Sequence, residues 1–289
     1  MSTPASPESS SRLVGDERMT AEREETKYLL SPEAVAAMIA VLNARLSPHR
    51  FVGEGANHLP DPHHFVTSIY FDTPGRSHFQ EAVADGLHNV KIRAKEYYDL
   101  HPSLAELATD PAQIVRYQPW IWFELKRREG ARTLKSRFRL PKREVPAFLA
   151  GQRGVSDAVA PGGPALSERE KAGIAEIVRH CQALSDPLVA ACLVNYRRRS
   201  WQDPAGALRV TLDAQLAFFA PPADLWQRDQ ALVRSELGTA LARERRAVLE
   251  VKHIGSTPAW LDEALGMPGV TAFQFSKFLV ASEAVHGRV

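Results

Sequence analysis

Cysteine is nearly absent: Cys181 and Cys192 stand alone in 289 residues and form no CxxC pair, which excludes a disulfide framework and a thiolate zinc or redox centre. No apolar run approaches the roughly 18 residues of a membrane span, and the N-terminus lacks the apolar stretch of a signal peptide. The expectation is a cytoplasmic protein with reduced, buried thiols. A large net charge is missing too. Lys and Arg number 36 against 34 Asp and Glu, a net +2, which excludes a general polyanion sponge of the histone or basic-tail kind. The length allows a substantial core, and one large β-rich domain is expected rather than two.

What is present is a repeated alternation of charge. Charged or polar side chains recur at every second position in Arg23, Glu25, Lys27; in Lys91, Arg93, Lys95; in Glu124, Lys126, Arg128; in Lys135, Arg137, Arg139; in Arg209, Thr211, Asp213; and in Glu250, Lys252. A period of two is that of a strand, whose successive side chains leave on opposite faces. The residues between are mostly apolar, such as Val90, Ile92, Ala94, Leu125, Val210, Leu249 and Val251, while the first segment has Glu24 and Thr26 there instead. In an ordinary sandwich such rows face water. Their number and their Arg and Lys content favour a sheet whose charged face lines a shared cavity.

Residues 1–18 are rich in Ser and Pro and read as a disordered leader, and 19–289 as a single domain. Ser31 and Pro32 announce a helix with Val35, Met38, Ile39 and Leu42 at helical spacing. His58, His63 and His64 fall in a polar, Pro-containing stretch read as a solvated loop and not as a metal site. The strand FVTSIYFDT follows, closed by Pro74 and Gly75. Residues 99–119 read as an insertion at a hairpin end and 151–164 as a Gly and Pro linker. Ser167 with Glu170 makes a capping box for a helix to Leu184. Two strands run over 188–201 and 207–218, residues 224–246 read as partly helical, and the strand AVLEVKH precedes helices over 258–265 and 276–285. The fold class expected is α+β, with about eight antiparallel strands closed or nearly closed into a tunnel and helices at its periphery.

An inward row of Arg and Lys demands counter-charge, because an unpaired buried ion costs several kcal/mol. A single phosphate is satisfied by two or three donors, whereas a linear chain of phosphates rewards Arg forks and Lys points from many walls. Glu124, Asp213 and Glu250 would then hold a divalent cation, Mg2+ or Mn2+, among the phosphates, or else space out the positive charges by ion pairing. In NYRRRSW the phase is open, because Arg197, Arg198 and Arg199 occupy both faces.

The motifs REETKYLL, SIYFDT, VKIRAKEYY, FELKRREG, LKSRF, NYRRRSW, LRVTLD, VLEVK and FSKF, in that order, resemble the strand motifs of the VTC (vacuolar transporter chaperone) polyphosphate polymerase domain of the triphosphate tunnel metalloenzymes. The resemblance runs from about Arg23 to Val280. It implies an eight-stranded tunnel that binds ATP and inorganic polyphosphate or pyrophosphate with Mn2+ or Mg2+ and transfers the terminal phosphate of ATP onto a growing polyphosphate chain. By position it implies phosphate-binding roles for Lys27, Lys91, Arg93, Lys126, Lys135, Arg198, Arg209 and Lys277, with Ser276 beside the last, and a metal-binding role for Glu250. It selects Arg198 from the arginine triplet. Arg23, Arg137 and Lys252 join the substrate-binding set from the charged rows. Lys27, Arg93, Arg198, Arg209 and Glu250 are the expected catalytic group. Hydrolytic relatives open with ExExK, whereas this chain has Arg23, Glu25 and Lys27, which favours the polymerase over a triphosphatase; a non-catalytic polyphosphate or nucleotide sensor is the other alternative. Tyr97, Tyr98 and Trp122 lie among basic strands, but no recognised nucleic-acid module is present and no nucleic-acid partner is expected. The resemblance also implies that eukaryotic relatives work beside membrane-spanning subunits, which leaves room for a separate membrane partner.

Overall fold

The computed structural model describes residues 23–49, 63–86, 88–98, 120–130, 132–151 and 167–287. The expected leader, the insertion over 99–119, His58, most of the linker over 151–164 and the side chain of Arg23 lie outside the described residues. The long strands are β1 (Arg23–Leu30), β3 (His64–Asp72), β4 (His88–Tyr98), β5 (Trp120–Glu129), β6 (Arg132–Pro141), β7 (Val189–Gln202), β8 (Leu208–Phe219) and β10 (Ala247–Ile254), joined by the short β2 (Ser47–Pro48), β9 (Ala242–Glu244) and β11 (Val270–Ala272). They form one antiparallel sheet in the order β11-β1-β10-β8-β7-β3-β4-β5-β6, with β2 on β7 and β9 on β8. β11 and β6 end the path, so the sheet is curled and nearly closed rather than sealed.

The alternation sorts β4, β5, β8 and β10 into an outer apolar face and an inner face that carries the charges. Helix α1 (Pro32–Arg45) begins at Ser31, whose hydroxyl accepts from the Ala34 amide at 3.4 Å, with Pro32 in the first turn. Its Ala34, Met38 and Leu42 pack with Leu208, Val210, Leu212, Leu249 and Val251, and α5 (Ala259–Leu265) adds Leu261 and Ala264 to the same cluster. Gly269 has φ +83°, and a Cβ there would stand 2.5 Å from Ser31 Oγ, so only glycine lets this turn approach the start of α1. On the other half of the sheet, α3 (Val145–Leu149) and α4 (Glu168–Ala183) cover Ile92, Ile121, Phe123, Leu125, Phe138 and Leu140. The expected capping box at Ser167 and Glu170 is present at the start of α4.

The last helix is inside. Phe278 and Ala281 of α6 (Lys277–His286) pack with Val66, Tyr70, Cys192, Val194, Phe218 and Val248, and Phe278 lies 5.4 Å from the Tyr70 ring. One end of the bore is thereby filled with apolar side chains and the other left polar.

Three local expectations are corrected. Helix α2 (Ser77–Ala84) stands where the sequence reading saw only the turn at Pro74 and Gly75; the carboxylate of Asp72 accepts from the amides of Thr73, His78 and Phe79 at 2.8 to 3.0 Å and caps the helix from the end of the preceding strand. His64 is not in a solvated loop. It opens β3 and is buried. Residues 224–246 contain no α-helix, only a 3-10 turn at Arg234–Glu236 and strand β9. Their backbone is committed to side chains on the sheet: the Leu232 carbonyl accepts from Thr67 Oγ1 at 2.6 Å, the Leu232 amide donates to Glu96, and the Gln230 carbonyl accepts from Lys142 at 2.6 Å. A backbone group used in this way is lost to a helical ladder.

Candidate phosphate-binding tunnel

The charged rows converge. Lys126 Nζ on β5 lies 3.8 Å from Glu25 on β1, Lys91 Nζ on β4 lies 3.3 Å from Ser276 Oγ at the start of α6, and Lys277 Nζ lies 2.6 Å from Asp213 on β8. Strands far apart in the sheet order thus meet across one lumen.

Four carboxylates organise the cations. Glu124 is fully buried on β5, with Arg93 Nε at 2.8 Å, Lys135 at 3.2 Å, Arg137 at 3.4 Å and Lys95 at 3.7 Å. Burial alone would raise its pKa, but Lys95, Arg93, Lys135 and Arg137 override that and hold it well below the usual range. Asp213 receives the Arg198 fork at 2.6 and 2.7 Å and Lys277 at 2.6 Å. Burial again opposes and Arg198 and Lys277 win, leaving the carboxyl at about 2. Glu250 lies 2.5 Å from Lys252, which also reaches Glu25 at 3.3 Å, and Lys27 lies 3.3 Å from Glu25. Glu25 and Glu250 repel each other, yet the lysines hold both carboxyls below the usual range.

Several of the lysines carry the mark of burial. Lys91 and Lys126 are lowered to about 8, first by burial, then by cationic neighbours that for Lys91 include Lys126 and Lys27 and for Lys126 include Lys27 and Arg93. Lys135 and Lys277 are lowered as well, by burial first. A cluster of this kind is under-neutralised and favours an anion.

Of the residues expected to bind substrate, Lys27, Lys91, Arg93, Lys126, Lys135, Arg137, Arg198, Lys252, Ser276 and Lys277 meet in these contacts. Arg209 pairs in register with Lys252 and shares its face. The phase of the arginine triplet is decided: Arg198 faces Asp213, whereas Arg197 pairs with Phe65 and Arg199 with Leu212, both of which pack on the outside. The guanidinium of Arg137 lies 3.7 Å from the centroid of the Trp122 ring, which fixes its plane.

Glu124, Asp213 and Glu250 do not come together: among the described residues no three His, Cys, Asp or Glu side chains cluster around a metal position. Glu124 and Asp213 are enclosed by their cations, the ion-pairing role that alternation also allowed. Glu250 has a different companion, Glu25, which stood in the charged rows without an assigned task. The two share Lys252 and sit on neighbouring strands. Mg2+ is commonly held by one or two carboxylates together with substrate phosphates, so this pair fits an ion that arrives with a phosphate chain. Lys95 was likewise visible in its row, but its service to Glu124 was not. His64 had no sequence signal; burial and then Arg198 lower it to about 3, so a neutral imidazole stands beside Tyr97, their ring centroids 5.8 Å apart.

The VTC domain family model matches residues 22–286. No curated protein matches the chain. Among solved structures, a Bacillus halodurans protein described as an adenylate cyclase candidate is 13% identical, with 90% of this chain and 95% of that one covered and a TM-score of 0.46. A Hippeastrum adenylyl cyclase candidate, described as having a dominant triphosphatase activity, is 15% identical over the same shares with a TM-score of 0.47. No helix among the described residues is long and apolar enough to cross a membrane.

Proposed function

Because the chain belongs to the VTC domain family, a tunnel fold of triphosphate chemistry, we propose that it is a polyphosphate polymerase that moves the terminal phosphate of ATP onto a growing inorganic polyphosphate chain. The observation that carries this reading is the meeting of basic side chains from β1, β4, β5, β6, β7, β10 and α6 in one lumen whose lysines are under-neutralised.

The triphosphate of ATP lies along the lumen, gripped by Arg93, Arg198, Arg209 and the lysines. A terminal oxygen of the acceptor phosphate, already an anion at neutral pH, attacks the γ-phosphorus. The bond from that phosphorus to the β,γ-bridging oxygen breaks, its electron pair stays on ADP, and the chain is longer by one phosphate. No protein nucleophile is required; orientation and charge neutralisation by the fixed cations supply the catalysis. Glu124 and Asp213 keep Arg93, Arg137, Arg198 and Lys277 aimed before substrate arrives, so little reorganisation remains at the moment of reaction. Glu250, with Glu25, would hold Mg2+ or Mn2+, which when bound neutralises charge on the phosphate oxygens. Arg23 in place of the first glutamate of the hydrolytic motif leaves one carboxylate fewer to position a water, which favours transfer over hydrolysis.

The test is purified protein with ATP and Mn2+ or Mg2+, with ADP and chain length followed together. ADP release matched by lengthening chains is expected. Release of orthophosphate with short products only would make the protein a triphosphatase, and binding without ADP release would make it a sensor.

A further inference from the structure

Two hydroxyls on the tunnel wall are not used by the reaction described above. Ser200 Oγ on β7 and Thr211 Oγ1 on β8 are both buried, and neither has a hydrogen-bond partner among the described residues. Buried polar atoms are rarely left in that state, and on a strand Ala or Val would fill the same positions without the loss.

Their placement is specific. The register pairs Ser200 with Thr211, Thr211 with Glu250, and Glu250 with Lys27, so the four side chains form one rung across β7, β8, β10 and β1 on the face toward the lumen. The neighbouring rung on one side carries Arg198 and Asp213, and the rung on the other carries Arg209 and Lys252. The two hydroxyls therefore stand between two arginines and next to Glu250. The arginines present rigid forks, whereas a hydroxyl turns about its C–O bond and can follow an oxygen that moves.

We propose that Ser200 and Thr211 are triphosphate ligands that donate hydrogen bonds to non-bridging oxygens of the phosphoryl group beside Glu250. The proposal rests on the reading of the lumen as a triphosphate site and adds two residues to it.

Tripolyphosphate is the probe, titrated into full-length parent, Thr211→Val, Ser200→Ala and Thr211→Ser proteins, with melting of each followed without ligand. Thr211→Val keeps the shape and removes the hydroxyl, so without ligand it should melt no lower than the parent, while its affinity for tripolyphosphate falls about tenfold. Ser200→Ala should lose a similar factor, and Thr211→Ser, which keeps the oxygen, should bind within about twofold of the parent. Equal affinity in all four proteins would overturn the proposal. So would a Thr211→Ser protein that loses as much as Thr211→Val, since the methyl group and not the hydroxyl would then matter. If the parent itself fails to bind tripolyphosphate, the reading of the lumen falls, and this proposal with it.

Discussion

Glu25 and Lys126 meet at 3.8 Å although β10, β8, β7, β3 and β4 all lie between their strands in the sheet. The contact itself contributes little stability, because both side chains are about a quarter exposed. Its value is geometric: it measures how far the sheet has curled and how narrow the polar lumen is. A phosphate chain entering there competes with carboxylates already in contact with the lysines, and several consequences can be measured.

Glu250→Gln should lower turnover about a hundredfold while binding tripolyphosphate without metal at least as tightly as the parent. On the proposed reading, this substitution takes away a charge that would work with the metal but none of the cations that would grip phosphate. The stabilisation that Mn2+ adds to the tripolyphosphate complex should shrink in the same variant. Normal turnover would show that Glu250 is not the metal-binding residue.

Polyphosphate affinity should fall as the pH rises from 7 to 9. Lys91 and Lys126 titrate near 8 without ligand, so their charge is present below that value and lost above it. A bound anion raises both pKa values, which makes binding take up protons in this window, with a loss of about tenfold per lysine at pH 9. Lys91→Arg keeps its charge throughout and should flatten the profile, as calorimetric titrations at several pH values would reveal.

Glu124→Gln should destabilise the ligand-free protein by about 3 to 5 kcal/mol, since Arg93, Lys95, Lys135 and Arg137 would crowd a neutral side chain. Tripolyphosphate should recover more stability in this variant than in the parent, because the lumen is then more positive. Urea unfolding with and without ligand measures both. A variant as stable as the parent would mean that the buried carboxylate does not organise the four cations.

Gly269→Ala should cost about 2 kcal/mol, from a positive φ that alanine disfavours and from the close approach to Ser31 at the start of α1. Thermal unfolding provides the measurement, and an unchanged melting temperature would mean that this turn shifts freely.

Much of the tunnel was legible because it is written with a period of two. In VKIRAKEYY the alternation alone puts Lys91, Arg93 and Lys95 on one face and Ile92 and Ala94 on the other, and the structure keeps that division. Helix α4 was equally plain, because Ser167 and Glu170 form a local capping box. Helix α2 was missed because its cap is Asp72, several residues upstream across a Pro-Gly turn, and His64 was misplaced because no periodic pattern marks the first residue of a strand.

Local pattern by itself determined the strands, their two faces and the excess of cations over carboxylates on one of them, since side-chain direction in a strand follows from position parity alone. Only the tertiary structure decided which carboxylates do which work. Glu124 and Asp213 became anchors for arginine and lysine and Glu25 became the companion of Glu250, because each outcome depends on strand register and on α6 entering the lumen, long-range contacts between segments far apart in the chain.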